Sequence, residues 1–248
     1  MTVPSSPASL DAAGTYTELR LELILATLAT LSNRIAERFP ESGLSHVARE
    51  LYRVGEETGP LLERIRRPNW LLRAGVGIVV ALIVALVLAL LFYLPALDLE
   101  VAGVNSLLQT VESAAQDLIF LSLAVYFLLT LESRSNRRIS LRALHRLRSI
   151  VHIVDMHQLT KDPEHLLTPG MSTASSPERL FTRFELSRYL DYCAELLSLS
   201  SKLAALHVQH VNDPVVLNAV NDIEVLASDL SNKMWQKIVI LDTTVAAE

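Results

Sequence analysis

The stretch AGVGIVVALIVALVLALLFYL, residues Ala74 to Leu94, carries no charged side chain over 21 positions. At 1.5 Å of rise per residue a helix of that length covers roughly the 30 Å hydrocarbon core of a bilayer. Trp70 and Arg73 stand at one edge, Phe92 and Tyr93 at the other, and Pro95 ends the run. That is the arrangement expected of a spanning helix with interfacial anchors.

A second apolar run, Leu118 to Leu131, is free of charge but shorter than the ~17 residues a span needs. Extending it back to Ser113 supplies the length and brings in Gln116 and Asp117. Arginines flank the pair: Arg64, Arg66, Arg67 and Arg73 come before it, and Arg134, Arg137, Arg138 and Arg142 after it. The connection from Pro95 to Glu112 holds Asp98, Glu100 and Glu112 and no Lys or Arg. Since basic loops stay on the cytoplasmic side, both termini are expected there, in a multi-pass protein of the cell inner (plasma) membrane. Gly77, Ala81, Ala85 and Ala89 recur every four residues, a strip of small side chains that lets a second helix approach, from the same chain or from another copy.

Outside the apolar runs the period is helical. Leu21, Ile24, Leu28, Leu31 and Ile35 form one seam of a helix expected over 15–39, and a break at Pro40 to Gly43 leads to a second helix from Ser45, disturbed near Gly59 and Pro60. A basic helix is expected from Ser140 to Leu159, followed by a linker over 161–177 rich in Gly, Ser, Thr and Pro. Ser176 and Pro177 read as the N-cap and first turn of a long helix to Val211, and Asn212, Asp213 and Pro214 introduce a last helix to Leu241. Two coiled-coil-like seams run along these helices: Leu186, Leu190, Cys193, Leu197, Ser200, Ala204, His207 and Val211 on one, Val216, Val220, Ile223, Ala227, Leu230 and Met234 on the other. They should pack antiparallel.

The fold expected is therefore all-α, a two-span transmembrane hairpin with a cytoplasmic helical bundle formed by N- and C-terminal helices. The expected segments are a disordered tail over 1–14, cytoplasmic helices over 15–69, the hairpin over 70–132 with a short acidic exoplasmic loop at 95–113, and a C-terminal bundle over 133–248.

Composition narrows function mainly by exclusion. With 50% hydrophobic residues, a formal charge of -5 and mean hydropathy +0.33, the chain has neither the basic balance nor the aromatic motifs of a nucleic-acid binder. Cys193 is the single cysteine, which rules out an internal disulfide. Only eight glycines are present, with no phosphate loop, nucleophile elbow or zincin motif, so no catalytic residue and no cofactor is assigned.

The densest polar feature is the segment from His145 to His157. His145, Arg148, His152 and Asp155 fall within an arc of roughly 80°, beside an apolar arc of Leu144, Leu147, Ile150, Val151 and Val154. His152 and Asp155, one turn apart, are half of a candidate metal site, with His145 or the later pair His207 and His210 completing it. The same patch, with His157, could respond to pH, or Asp155 could pair with Arg148 or His152 to fix helix register. Asp117 is a candidate intramembrane acid.

The first expectation is a membrane-anchored, oligomeric scaffold or signalling adaptor, self-associating through its transmembrane and amphipathic helices and docking a cytoplasmic protein on its bundle. An oligomeric ion channel and a metal-dependent membrane enzyme built on His145, His152 and Asp155 are the alternatives.

Overall fold

The computed structural model describes residues 18–67, 70–93, 104–161, 163 and 181–243. Every regular element among them is an α-helix: α1 (Leu21–Arg38), α2 (Gly43–Arg66), α3 (Trp70–Tyr93), α4 (Val104–Leu159), α5 (Arg183–His210) and α6 (Pro214–Thr243). The chain divides into two compact units, one of residues 1–63 with 140–248 and one of residues 64–139. The tail expected over 1–14 and most of the linker expected over 161–177 lie outside the described residues.

Four features differ from the sequence reading, three of them for a local reason. The second apolar run and the basic helix are one element, because α4 runs unbroken for 56 residues and holds neither Gly nor Pro to interrupt it. It begins at Val104, inside the stretch expected to be an exoplasmic loop. Pro60 does not break α2; the carbonyl it leaves without a donor belongs to Glu56, on the exposed face, while the Thr58 hydroxyl donates to the Val54 carbonyl at 2.8 Å. Finally, α5 starts at Arg183 rather than at 177, because Thr182 makes a capping box: its Oγ1 accepts the Glu185 N–H, and the Glu185 carboxylate accepts the Thr182 N–H at 2.7 Å. Ser176, the expected cap, lies outside the described residues.

The first unit is a five-helix bundle of α1, α2, the 140–159 part of α4, α5 and α6. Its core forms because each helix carries apolar residues at three- and four-residue spacing, and burying such a side chain is worth about 1.5–3 kcal/mol. Ile24, Leu28, Leu31 and Ile35 are all buried on α1, as are all eight seam residues of α5 and all six of α6. Because α5 also buries Tyr189, Tyr192, Leu196, Leu199, Leu203 and Leu206, it is the central helix and packs on more than one side. Its most extensive partner is α6. The sharp turn between them is capped by Asp213, whose Oδ1 accepts the Val215 N–H at 2.9 Å and the Val216 N–H at 3.3 Å.

Side-chain contacts order the remaining helices. Phe39 at the end of α1 meets Phe181, Tyr189 and Tyr192 edge-on, with centroids 5.3, 5.3 and 6.2 Å away. A Cβ at Gly55 of α2 would stand 2.7 Å from Leu25 of α1, so those helices pack closely. Glu57 of α2 accepts a 2.6 Å hydrogen bond from Arg146 of α4. At the end of α4, the Lys237 ammonium of α6 donates to the Gln158 side-chain oxygen at 2.8 Å and to the carbonyls of Gln158 and Lys161 at 3.4 and 3.5 Å. A cation set on the last carbonyls of a helix satisfies acceptors that have no partner within it and opposes the helix dipole.

The second unit behaves differently. Leu71, Ile78, Leu82 and Leu88 of α3 and Leu118, Ile119, Phe120, Leu123, Tyr126 and Leu129 of α4 are 60–88% exposed. Among the described residues one helical stretch, 115–159, is long and apolar enough to cross a membrane, and none of its apolar window is buried. The apolar part of α3, at 73–89, is shorter.

Candidate functional site

The polar face of α4 does not converge. His145, Arg148 and His152 are exposed, Asp155 and His157 half-buried. Arg148 reaches Asp222 of α6 at 3.9 Å, and Asp155 accepts a 2.8 Å hydrogen bond from Gln158 one turn on, so the expected pairing of Asp155 with Arg148 or His152 gives way to these contacts. Among the described residues no group of three or more His, Cys, Asp and Glu could hold a metal ion. Among the described residues, His145, His152 and Asp155 therefore do not come together as a ligand set, and neither His207 nor His210 forms one with them.

Of the patch, only His157 is drawn into packing. Its ring lies against Gly43 at the start of α2, where any Cβ would run into it. Burial, followed by the charges of Lys161 and His46, holds its pKa below the usual histidine value. Lys161 has its ammonium 4.5 Å from the Phe181 ring and 5.9 Å from that of Tyr189, and burial lowers its pKa as well.

His207 was read as a seam position and as a spare ligand, and it is the former. It is fully buried in the last turn of α5, and neither ring nitrogen has a hydrogen-bond partner among the described residues. Burial, with His210 adding a smaller repulsion, pushes its pKa down to about 4, so the ring is neutral at pH 7. Cys193 is also fully buried, and burial raises its thiol far above the ordinary range.

Along the outer side of the bundle, α5 and α6 leave an open groove with a cavity of about 450 Å³. Its floor is small: Ala194, Ser198 and Ser201 on α5 face Ala227, Ser228 and Ser231 on α6. Asp191, Lys202 and Glu224 supply charge along it, and Trp235, 64% exposed, stands in its wall. The signal for this face is a second set of three- and four-residue spacings beside the buried seams, 194, 198, 201 and 224, 228, 231, 235.

In the second unit, Arg73 at the start of α3 meets Glu132 of α4, Nε donating to Oε2 at 2.8 Å and Nη2 to Oε1 at 3.4 Å. Both side chains line a cavity of about 450 Å³ with Val76, Gly77, Val80, Leu128 and Leu129. This pair was legible in principle, since each residue directly adjoins an uncharged run. Among the described residues nothing covers the small strip: Gly77, Ala81, Ala85 and Ala89 are exposed, and a Cβ at Gly77 would touch nothing within 4 Å. Asp117 is exposed on α4.

No family model, curated protein or solved structure matches the chain.

Proposed function

We propose that the protein is a two-span membrane anchor carrying a cytoplasmic helical bundle, an oligomeric scaffold or signalling adaptor that docks another protein on the α5–α6 groove. The observation that carries this reading is the contrast in what the chain covers. Among the described residues, the apolar side chains of α3 and of the 118–129 part of α4 are mostly open, while those on the bundle's helix seams are enclosed. A folded protein tolerates that much contiguous apolar exposure where lipid supplies the cover.

The Arg73–Glu132 pair supports the hairpin. It ties the first turn of α3 to the end of the apolar stretch of α4, and Val76, Gly77 and Val80 line one cavity with Leu128 and Leu129, in keeping with two stretches of opposite chain sense. From Arg73, 20 residues of α3 reach Tyr93, about 30 Å and the thickness of the hydrocarbon core. The arginine-rich flanks favour a cytoplasmic location for that end of the hairpin and for both termini, in a plasma membrane. For the scaffold, the support is that charged side chains of the bundle meet one another across helices, Arg146 with Glu57, Arg148 with Asp222 and Arg34 with Glu195, rather than gathering round a reactive centre.

Affinity capture of the tagged chain from detergent tests the docking role. A stoichiometric partner retained by the wild type and lost on Ser231→Arg, with the helical spectrum unchanged, is the expected result. A channel is the competing reading, favoured by Asp117, which lies 15 residues before Glu132, about 22 Å along α4 and short of the far edge of the hydrocarbon. Proteoliposomes that conduct ions, with a selectivity altered by Asp117→Asn, would overturn the adaptor role.

A further inference from the structure

We propose that the arginines at the foot of α3 and α4 form a binding surface for anionic phospholipid headgroups, which the protein holds as a selective lipid annulus on the cytoplasmic leaflet. This rests on the two-span reading and adds a partner to it.

All six side chains concerned belong to the second unit: Arg64, Arg66 and Arg67 at the end of α2, and Arg134, Arg137 and Arg138 on α4. Glu132, the acid adjoining the α4 group, is already engaged with Arg73. From Ser133 to Val154 the chain contains no Asp or Glu at all. Arg64, Arg66, Arg134 and Arg138 are all exposed, so their guanidinium groups are open to an anion. Arg134 and Arg138 are one turn apart on one face of α4, and both lie within about 9 Å of Glu132 along the helix axis. Arg134 has its guanidinium 4.9 Å from the centre of the Phe127 ring, which holds the charge against the last apolar turn.

Residue choice separates headgroup binding from a mere topology signal. The basic-loop rule is met equally by Lys and Arg. Here all ten cations between Arg64 and Arg148 are arginine, while the chain's four lysines, Lys161, Lys202, Lys233 and Lys237, all come later. A guanidinium presents two parallel N–H donors to two phosphate oxygens, which an ammonium cannot do. Arginines set beside an apolar stretch match a phosphodiester whose acyl chains lie against that stretch, and clusters of this kind attract anionic leaflets.

Trp70, 74% exposed and placed between Arg67 and Arg73, is a built-in reporter, and the other tryptophan, Trp235, can be removed as Trp235→Phe. The full-length variant is reconstituted in phosphatidylcholine vesicles containing dibrominated phosphatidylglycerol or dibrominated phosphatidylcholine, and quenching of Trp70 is read against mole fraction. The expected result is that the brominated anionic lipid quenches at a mole fraction about fivefold lower. Arg134→Gln with Arg138→Gln should abolish most of that preference, and Arg134→Lys with Arg138→Lys should lose part of it although charge is kept. Equal quenching by the two lipids overturns the inference while leaving the protein in the bilayer. Quenching by neither overturns the membrane reading and this one together. A preference erased by inorganic phosphate at constant ionic strength also overturns it, because the surface would then be a soluble-anion site.

Discussion

Leu197 of α5 and Leu82 of α3 are the same residue in the same kind of helix, yet one is 0% and the other 65% exposed. In the bundle the outer helices set apolar residues on one face and polar residues on the other, and they enclose the central α5, so the chain itself supplies the apolar surroundings. In α3 no polar face exists, and among the described residues the chain leaves its large apolar side chains open. The pattern round the helix, more than its hydrophobicity, tells which solvent it was selected for.

The comparison breaks first at Leu197→Ala. If the bundle is enclosed by its own packing, deleting that side chain costs about 2–5 kcal/mol, read as a lower urea midpoint with little change in slope. The counterpart is Leu82→Arg, an exposed position at which a soluble protein would lose less than about 0.5 kcal/mol. In hydrocarbon the same change costs about 3 kcal/mol. Reduced recovery of the variant in the alkali-resistant membrane fraction is expected; unchanged partition would place α3 in water.

A smaller effect comes from acid. The unfolded chain takes up a proton at His207 as pH falls through 6.5, whereas the folded ring refuses it down to about 4. The stability contributed by the neutral buried ring is thus complete above pH 6.5 and is lost progressively towards pH 4, by roughly 2 kcal/mol at pH 5. Urea titrations at pH 7 and pH 5 should show the loss in wild type and a flatter response in His207→Leu. Smallest is Thr182→Ala, which removes the side-chain half of the capping box and should cost about 1 kcal/mol, seen as faster amide exchange in the first turn of α5.

Much of the bundle was readable because its signal is local and periodic. The residues named on the α5 and α6 seams are buried without exception, since a helix buries what its three- and four-residue spacing aligns. What could not be read depends on tertiary partners. The Phe39, Phe181 and Tyr189 cluster joins residues some 140 positions apart, and Lys237 finds its three acceptors at and just beyond the end of α4. The continuity of α4 was also legible, because the change from apolar to basic composition at Ser133 brings no helix-breaking residue with it. For the candidate site, one-turn spacing put His152 beside Asp155 on the helix surface, but spacing on one helix says nothing of what the neighbours supply. Arg148 turned to Asp222 and Asp155 to Gln158, while His207, chosen only as a spare, proved the most strongly shifted histidine.

Cys193 lends the molecule one practical property. Its thiol is sealed in the centre of α5 and kept protonated, so the native chain should be silent to maleimide reagents. Any cysteine introduced on the surface would then be labelled alone, with no need to remove the natural one. The slow reaction that does occur at Cys193 would time how often the bundle opens, a clock for its breathing that needs no mutation at all.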